Sequence, residues 1–536
     1  MAFLRVEKKK SGTYLRIVES YKSEGRPRHR TVHSLGKVED YPPEQLESIA
    51  KKLLELAGMK MDDIIASSFH ETNRFNYGYA MIIKKMWAIF QMGIFVKMAN
   101  VRTRTRFNWE ETLQLMIAER LNEPCSKLQS FTNQSEYIGF SAKADLQHFY
   151  RTLDILNKEQ DALKEHLFRQ QSSLFAQSLD VVFYDVTTLY FDSQIEQEGS
   201  IRKKGYSKDG KAHKTQVVLG LLVDKMRNPI SYDVYEGNTY EGHTMIAALK
   251  KLKKQYSIDR CIVVADSAMI DKENRDYITG NELDYILGDR IKSLPIKVKE
   301  QLLDKTKHGK VFESVEKEKY SCTELDYKGR RIICTYSEKR AKKDAHQREK
   351  LIDKAQNWIE NPGKYKQVKK RGAGRFINID KDGLPRELDQ QKIQMDSKYD
   401  GFKAIATTTR LGVAEILEKY RDLFEVEHAF RTLKSQLEIR PVFHWTNERI
   451  QGHIAMCFLS YTFLNYLRNT TQLQYGKIIR ALDKMQMSEI KEDNKSELLY
   501  MRSNVDQDQS RILKQLKIAV PKDVIPINAV NQYFSQ

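Results

Sequence analysis

Apolar and polar positions alternate with period two at the start of the chain and change to a helical period near residue 43. Over residues 1–40 the runs Phe3-Leu4-Arg5-Val6, Tyr14-Leu15-Arg16-Ile17-Val18 and Arg30-Thr31-Val32 are separated by turns at Ser11-Gly12 and Glu24-Gly25, which predicts a small antiparallel meander. Its cations, Lys8, Lys9, Lys10, Arg26, Arg28 and Arg30, suit a ribbon that grips a DNA end; lysines guarding a solvated edge strand are the plain alternative. Residues 41–175 read as a helical domain. One helix covers 44–56, opened by Pro42-Pro43 and closed by Gly58, and another covers 79–92. A third follows Asn108, with Glu111 at the capping-box position, and a fourth carries Phe149, Leu153, Leu156 and Leu163. The basic run 102–106 makes DNA binding one reading of this domain and a bare scaffold the other.

Strand character takes over across residues 176–289. LDVVFYDVTTLY (179–190) is nearly continuous in β-branched and aromatic residues, as a strand buried on both faces requires. Further strands fall at 215–223, 229–235, 261–265 and 285–287, with helices over 244–256 and 272–278. Three strands on short connections followed by helix–strand units make a multidomain α/β protein with a mixed sheet. Residues 290–400 interrupt the pattern as a basic, largely β insertion with one helix over 345–360 and the chain's densest cationic run, KQVKKRGAGR at 366–375. The pattern resumes over 401–470 with a strand at 402–406, the threonines 407–409, a long amphipathic helix and an apolar packing helix over 447–468. Residues 471–536 are polar and thinly patterned, with a closing segment near 512–527, and dimerisation is one role for this C-terminal part.

The amphipathic helix organises the chemistry. Ile416, Leu417, Tyr420, Leu423, Phe424, Val426, Phe430 and Leu433 recur at helical spacing, which predicts one helix through Lys434. Tyr420, Glu427 and Lys434 recur every seven residues and so share one side, with Arg431 a turn beyond Glu427. A solvated charged face is the ordinary meaning of such spacing. A carboxylate ringed by an aromatic and two cations on so apolar a helix suits instead a metal held beside a phosphate backbone.

Composition narrows the partners. The formal charge of +18 favours a polyanion, most simply nucleic acid. Five scattered cysteines without a C-x-x-C pair argue against a zinc ribbon or a disulfide framework and fit a reducing cytoplasm. The first residues contain no apolar core of a signal peptide, and the most apolar helix is too short and polar to span a bilayer, so no membrane partner is expected.

Two further carboxylates join Glu427. Asp185 lies within the most apolar strand, where an unpaired charge is costly, and Asp266 closes CIVVAD, at a strand end where ligands gather in open α/β sheets. Three hard oxygen donors suit Mg²⁺ or Mn²⁺ and not zinc. Two such ions, bridged by Asp185 and completed by Asp266 and Glu427, would serve phosphodiester displacement without a protein nucleophile. Lys208 and Lys214, on a loop with Lys211 and His213, and Lys369, Lys370, Arg371 and Arg375 in the cationic run, are candidate phosphate contacts; solvated loops are the alternative. Trp358 and Trp445 could stack on an extruded base, with core packing favoured for each; metal binding by His428, His444 or His453 is disfavoured.

These residues resemble a known family. Tyr420, Glu427 and Lys434 match the Y-x2-R-x3-E-x6-K signature of the DDE transposases of bacterial insertion sequences, in their hairpin-forming group, and Phe430, Leu433 and Lys434 match its F-x-x-L-K ending. Leu423 stands where the signature has arginine; Arg431 is the nearest substitute on the helix. DVTTLYFDS around Asp185 and VVADSAM around Asp266 are similar to the first and second aspartate motifs. Gly205-Tyr206-Ser207-Lys208, GLLVD ending at Asp224, Gly237-Asn238-Thr239 with Glu241, and Pro441-Val442-Phe443-His444 also fit. The resemblance implies an RNase H-like core interrupted by an insertion, and Mg²⁺-dependent cut-and-paste transposition. It further implies a homodimer on double-stranded DNA, binding terminal inverted repeats and target DNA, with hairpin-ended intermediates at the nucleoid. An RNase H-like nuclease without strand transfer and a catalytically dead DNA-binding relative are the rival readings.

Overall fold

The computed structural model describes residues 2–23, 26–58, 69–140, 144–175, 180–207, 210–256, 258, 260–269, 271–313, 319–361, 371–381, 384–492, 498–526, 529–530 and 533–534. The chain forms two compact units.

The first unit comprises Met1–Arg74, Met487–Arg502 and Lys522–Val530. The strands Ala2–Lys9, Gly12–Ser23 and Arg26–Lys37 form an antiparallel three-stranded sheet in sequence order. Helix Pro43–Leu56 follows, with Pro43 in its first turn, where the missing N–H costs no hydrogen bond. The strand Phe69–Asn76 closes a second sheet with Gln486–Glu492, Leu498–Arg502 and Val524–Pro526. The segment 471–536, which the sequence leaves nearly featureless, thus divides: two stretches belong to this unit, while the helices Tyr475–Asp483 and Gln507–Gln515 belong to the other.

The second unit begins with helices. Gly78–Ile89 ends where the pattern suggests continuation: Gln91 takes a left-handed φ of 49°, and a new helix, Met92–Thr103, sets off. Asn108 caps Trp109–Asn122, its side chain accepting the Glu111 amide at 3.1 Å. Helix Asn447–Thr471 is buried along most of its length and packs against Trp109–Asn122 and Leu146–Lys158. Among the described residues no single helix is long and apolar enough to cross a membrane.

At the centre of this unit lies a ten-stranded mixed sheet. Strand Val181–Tyr190 sits between Thr215–Val223, which is antiparallel to it, and Ile262–Ala265, which is parallel. Pro229–Glu236 adds antiparallel to Thr215–Val223, and Asp284–Asp289 adds parallel to Ile262–Ala265. Three meandering strands followed by two parallel ones is the RNase H arrangement. All nine positions of Thr215–Val223 are buried, which explains its unbroken apolar sequence.

Beyond Asp284–Asp289 the sheet continues. Phe402–Thr407 pairs antiparallel to it, and on its far edge to Arg330–Tyr336, with Lys319–Tyr327 and Lys310–Glu313 outside. The interrupting segment therefore extends the central sheet. It also carries a 23-residue helix, Glu338–Glu360, capped by Ser337 and beginning seven residues before the apolar periodicity does.

Candidate active site

Register places the two aspartates. Tyr184 lies opposite Ala265, so Asp185 and, one residue past the end of Ile262–Ala265, Asp266 follow level in register. Leu287 lies opposite Ala265 on the other side, so Gly288 completes the row. Tyr184, Ala265 and Leu287 point into the hydrophobic core that includes helix Thr244–Tyr256. Alternation turns Asp185, Asp266 and Gly288 to the opposite face, against which Val413–Arg421 and Phe424–Ser435 pack. Asp185 is half-buried and Asp266 exposed, so the expected penalty of full burial does not arise for either. Oδ1 of Asp185 accepts the Val186 amide at 2.7 Å, and Oδ1 of Asp266 accepts that of Ser267 at 2.5 Å.

The helix predicted to run unbroken through Lys434 is two helices. Val413–Arg421 ends at Asp422 and Phe424–Ser435 begins after Leu423. Short-range bonds close the joint: Leu423 N donates to Tyr420 O at 3.3 Å and Glu425 N to Asp422 O at 2.9 Å. No glycine or proline marks the break, which is why periodicity runs through it. Tyr420 therefore does not share a helix face with Glu427 and Lys434.

Tyr420 turns inward and is 7% exposed. Its hydroxyl occupies the space that a side chain at position 288 would fill, next to Ser267, so only glycine fits there. Burial, then the charges of Asp266 and Glu427, push its phenol well above the usual range. Lys403 stacks over the Tyr420 ring, Nζ 4.4 Å from the centroid. Burial and the Arg340 charge lower the Lys403 pKa, against Asp266 and Glu427, which raise it. These shared influences place Asp266, Glu427, Tyr420 and Lys403 in one electrostatic neighbourhood.

Glu427 itself is exposed on the second helix. That helix is anchored by its neighbour Glu425, which pairs with Arg227; both side chains are 15% exposed. Arg227 lies in the turn after GLLVD. The buried Asp224 carboxylate accepts the amides of Met226 and Asn228 at 2.7 and 2.9 Å, and burial raises its pKa. Tyr461 donates to Arg227 O at 3.0 Å, and Asn465 to Asn228 Oδ1 at 2.9 Å, tying the turn to Asn447–Thr471.

Among the described residues no three His, Cys, Asp or Glu side chains converge closely enough to hold a metal ion. The donor chemistry nevertheless fits a hard divalent cation: two aspartates level on adjacent strands supply carboxylate oxygens and no soft ligand.

The candidate DNA contacts scatter. Lys434 is half-buried and Arg431 exposed, both on the Glu427 helix. Lys214 pairs with Asp192, and both Lys214 and Lys211 stack over Tyr190. Arg371 is exposed, whereas Arg375 pairs with Asp396 at 2.9 Å, tying down one end of the cationic run. Lys208, Lys369 and Lys370 lie outside the described residues. Trp358 packs in the insertion's own apolar cluster, but Trp445, expected in a core, is 57% exposed with Arg202 4.6 Å over its ring. Sequence reasoning missed Gly288, Arg340, Lys403 and the Arg227–Glu425 pair.

No curated protein sequence matches the chain. Among solved structures, the piggyBac transposase synaptic complex with hairpin DNA is similar at 8% identity over 70% of this chain and 69% of that one, TM-score 0.36. The Mos1 transposase paired-end complex with left transposon end shows 13% identity over 34% of this chain and 58% of that one, TM-score 0.15. The Mos1 mariner paired end complex with Mn shows 16% over 34% and 59%, TM-score 0.14. Residues 4–59 match the family described as the IS1634 family transposase, N-terminal domain. Residues 176–463, more than half the chain and the whole span from the Asp185 strand to the helix behind Glu427, match the transposase DDE domain, and the protein belongs to the DDE transposase family.

Proposed function

We propose that this protein cuts the ends of its insertion sequence and joins them to target DNA, with Asp185, Asp266 and Glu427 as the catalytic carboxylates. The supporting observation is the level placement of Asp185 and Asp266 on adjacent strands, under the helix pair that carries Tyr420 and Glu427. Asp185 and Asp266 would hold Mg²⁺, with Mn²⁺ as a substitute, and Glu427 would complete a two-ion site only by drawing closer to them than it stands in this structure. Bound there, the ions supply an activated water or 3′-hydroxyl and stabilise the leaving oxygen. Lys434 and Arg431, on the Glu427 helix, are the phosphate contacts nearest the site by position in the fold, and Lys208, Lys214, Lys369, Lys370 and Arg371 are further candidate phosphate contacts. Tyr420 lines a cavity together with Asp266 and Ser267. The partial signature at Tyr420, Glu427 and Lys434 supports hairpin-ended intermediates, formed by a homodimer on the terminal inverted repeats at the nucleoid.

The test is cleavage of a duplex spanning the element's end in Mg²⁺ by the wild type and by Asp185→Asn, Asp266→Asn and Glu427→Gln. Each variant should bind the duplex but cut at least a thousandfold more slowly, as loss of a group essential to the transition state implies (~4 kcal/mol). Equal cutting by Asp185→Asn removes the assignment. Denaturing gels distinguish hairpin ends from nicks, and precut ends mixed with target DNA distinguish a transposase from a nuclease.

A further inference from the structure

Beside Asp266 lies a cavity of about 730 Å³ whose lining includes Ser267, Gly288, Arg340, Lys403 and Tyr420. A second cavity, of about 670 Å³, shares Arg340, Lys403 and Tyr420 and adds Lys339, Lys343 and the aromatic Tyr320. Lys403 is thus common to a space bordered by the second aspartate and to a cation-rich groove of the insertion. Alternation along Phe402–Thr407 explains its direction: Phe402, Ala404 and Ala406 enter the hydrophobic core, so Lys403 takes the face that carries Asp185 and Asp266. It is half-buried and joins no ion pair among the described residues. An ammonium half-withdrawn from water with no carboxylate in ion-pair contact is favoured by an anion that arrives to meet it. Arg340, from the first turn of Glu338–Glu360, is exposed and only loosely paired with Asp344 at 3.5 Å, so it is available to the same anion.

We propose that Lys403, together with Arg340, clamps a backbone phosphate of the DNA strand presented to Asp185, Asp266 and Glu427. The inference rests on the transposase reading and deepens it. Lys403 supplies from a strand a charge that Leu423 does not supply from the joint between the two helices. The insertion is then part of the catalytic grip, because Arg340 belongs to it.

The experiment uses the full chain and a fluorescent duplex spanning the element's end. Affinity is measured in EDTA over a KCl series, and single-turnover cleavage in Mg²⁺. Loss of one phosphate contact should lower the slope of log K against log salt by about 0.9 in Lys403→Ala and Lys403→Gln. Cleavage should slow about tenfold to a hundredfold in the same variants, and Lys403→Arg should restore both. Unchanged slope and rate in Lys403→Ala, beside a wild type that cuts and an Asp185→Asn that does not, would overturn the proposal. A wild type that neither binds nor cuts the duplex sinks the transposase reading itself. Should Lys403→Ala unfold, Arg340→Ala, altering an exposed side chain, carries the same test: a reduced slope supports the clamp and an unchanged one removes it.

Discussion

Replacing Gly288 with alanine tests the geometry of the site more directly than removing a carboxylate. The added methyl would collide with the Tyr420 hydroxyl and approach Ser267 N at 2.9 Å and Ser267 Cβ at 3.2 Å. Tyr420 cannot swing clear, because its ring is buried under Lys403. The methyl must therefore push the Val413–Arg421 helix outward or force the Asp266–Ser267 corner to shift. Overpacking of this kind costs about 1–3 kcal/mol. A displaced Asp266 should also slow cleavage by about tenfold to a hundredfold, since a shift near 1 Å at a reacting centre has that effect. Tyr420→Phe removes one of the two obstacles, so Gly288→Ala/Tyr420→Phe should regain part of the lost stability, with a coupling of about 1 kcal/mol. The remaining loss reports the contact with Ser267. Denaturant unfolding of the four proteins gives the cycle, and single-turnover cleavage gives the rate. A Gly288→Ala protein as stable and active as wild type, or a cycle with no coupling, would refute the placement of Tyr420 over the aspartate row.

Other outcomes follow from the same contacts. Arg227→Ala leaves the half-buried Glu425 without its partner and should lower kcat more than DNA affinity, at a stability cost of about 1–3 kcal/mol; adding Glu425→Gln should cost little more. Acid should weaken the fold through His444 and His453. Burial holds the His444 imidazole neutral, its pKa lowered to about 3, and holds His453 well below its usual value. Unfolded, each takes up a proton below about pH 6.5, so stability is intact above that value and falls as pH drops toward 3. For His444 alone the loss is about 2 kcal/mol at pH 5, and His444→Phe should remove that share of the slope in unfolding measured between pH 7 and 5. Neutralising Lys369, Lys370 and Arg371 should reduce the salt dependence of DNA binding, whereas Arg375→Ala, which breaks the pair with Asp396, should register first as a loss of stability.

How much of this was readable from the residues depended on locality. Strands such as Thr215–Val223 and Phe402–Thr407 announce themselves because burial dictates every position or nearly every one. Asp185 and Asp266 drew notice because a carboxylate amid β-branched neighbours is unusual, although the fold leaves the first half-buried and the second exposed. The break at Asp422–Leu423 was not, since helix periodicity measures which side is apolar and is blind to a two-residue change of direction. Gly288 and Lys403 become meaningful only through register, which sets residues far apart in sequence side by side. Trp445 misled because an aromatic side chain can be satisfied by a guanidinium at the surface as well as by a core.

Phe402–Thr407 is bonded along one edge to Asp284–Asp289 and along the other to Arg330–Tyr336. The interrupting segment is for that reason no detachable cassette. A hinge between it and the catalytic strands would have to tear a ladder of backbone hydrogen bonds, and excising it would leave a raw sheet margin open to adhesion between molecules. A graft from a relative would succeed only if it carried a strand of matching length and phase, so lineages of this architecture should exchange the outer helix and loops freely while keeping the seam.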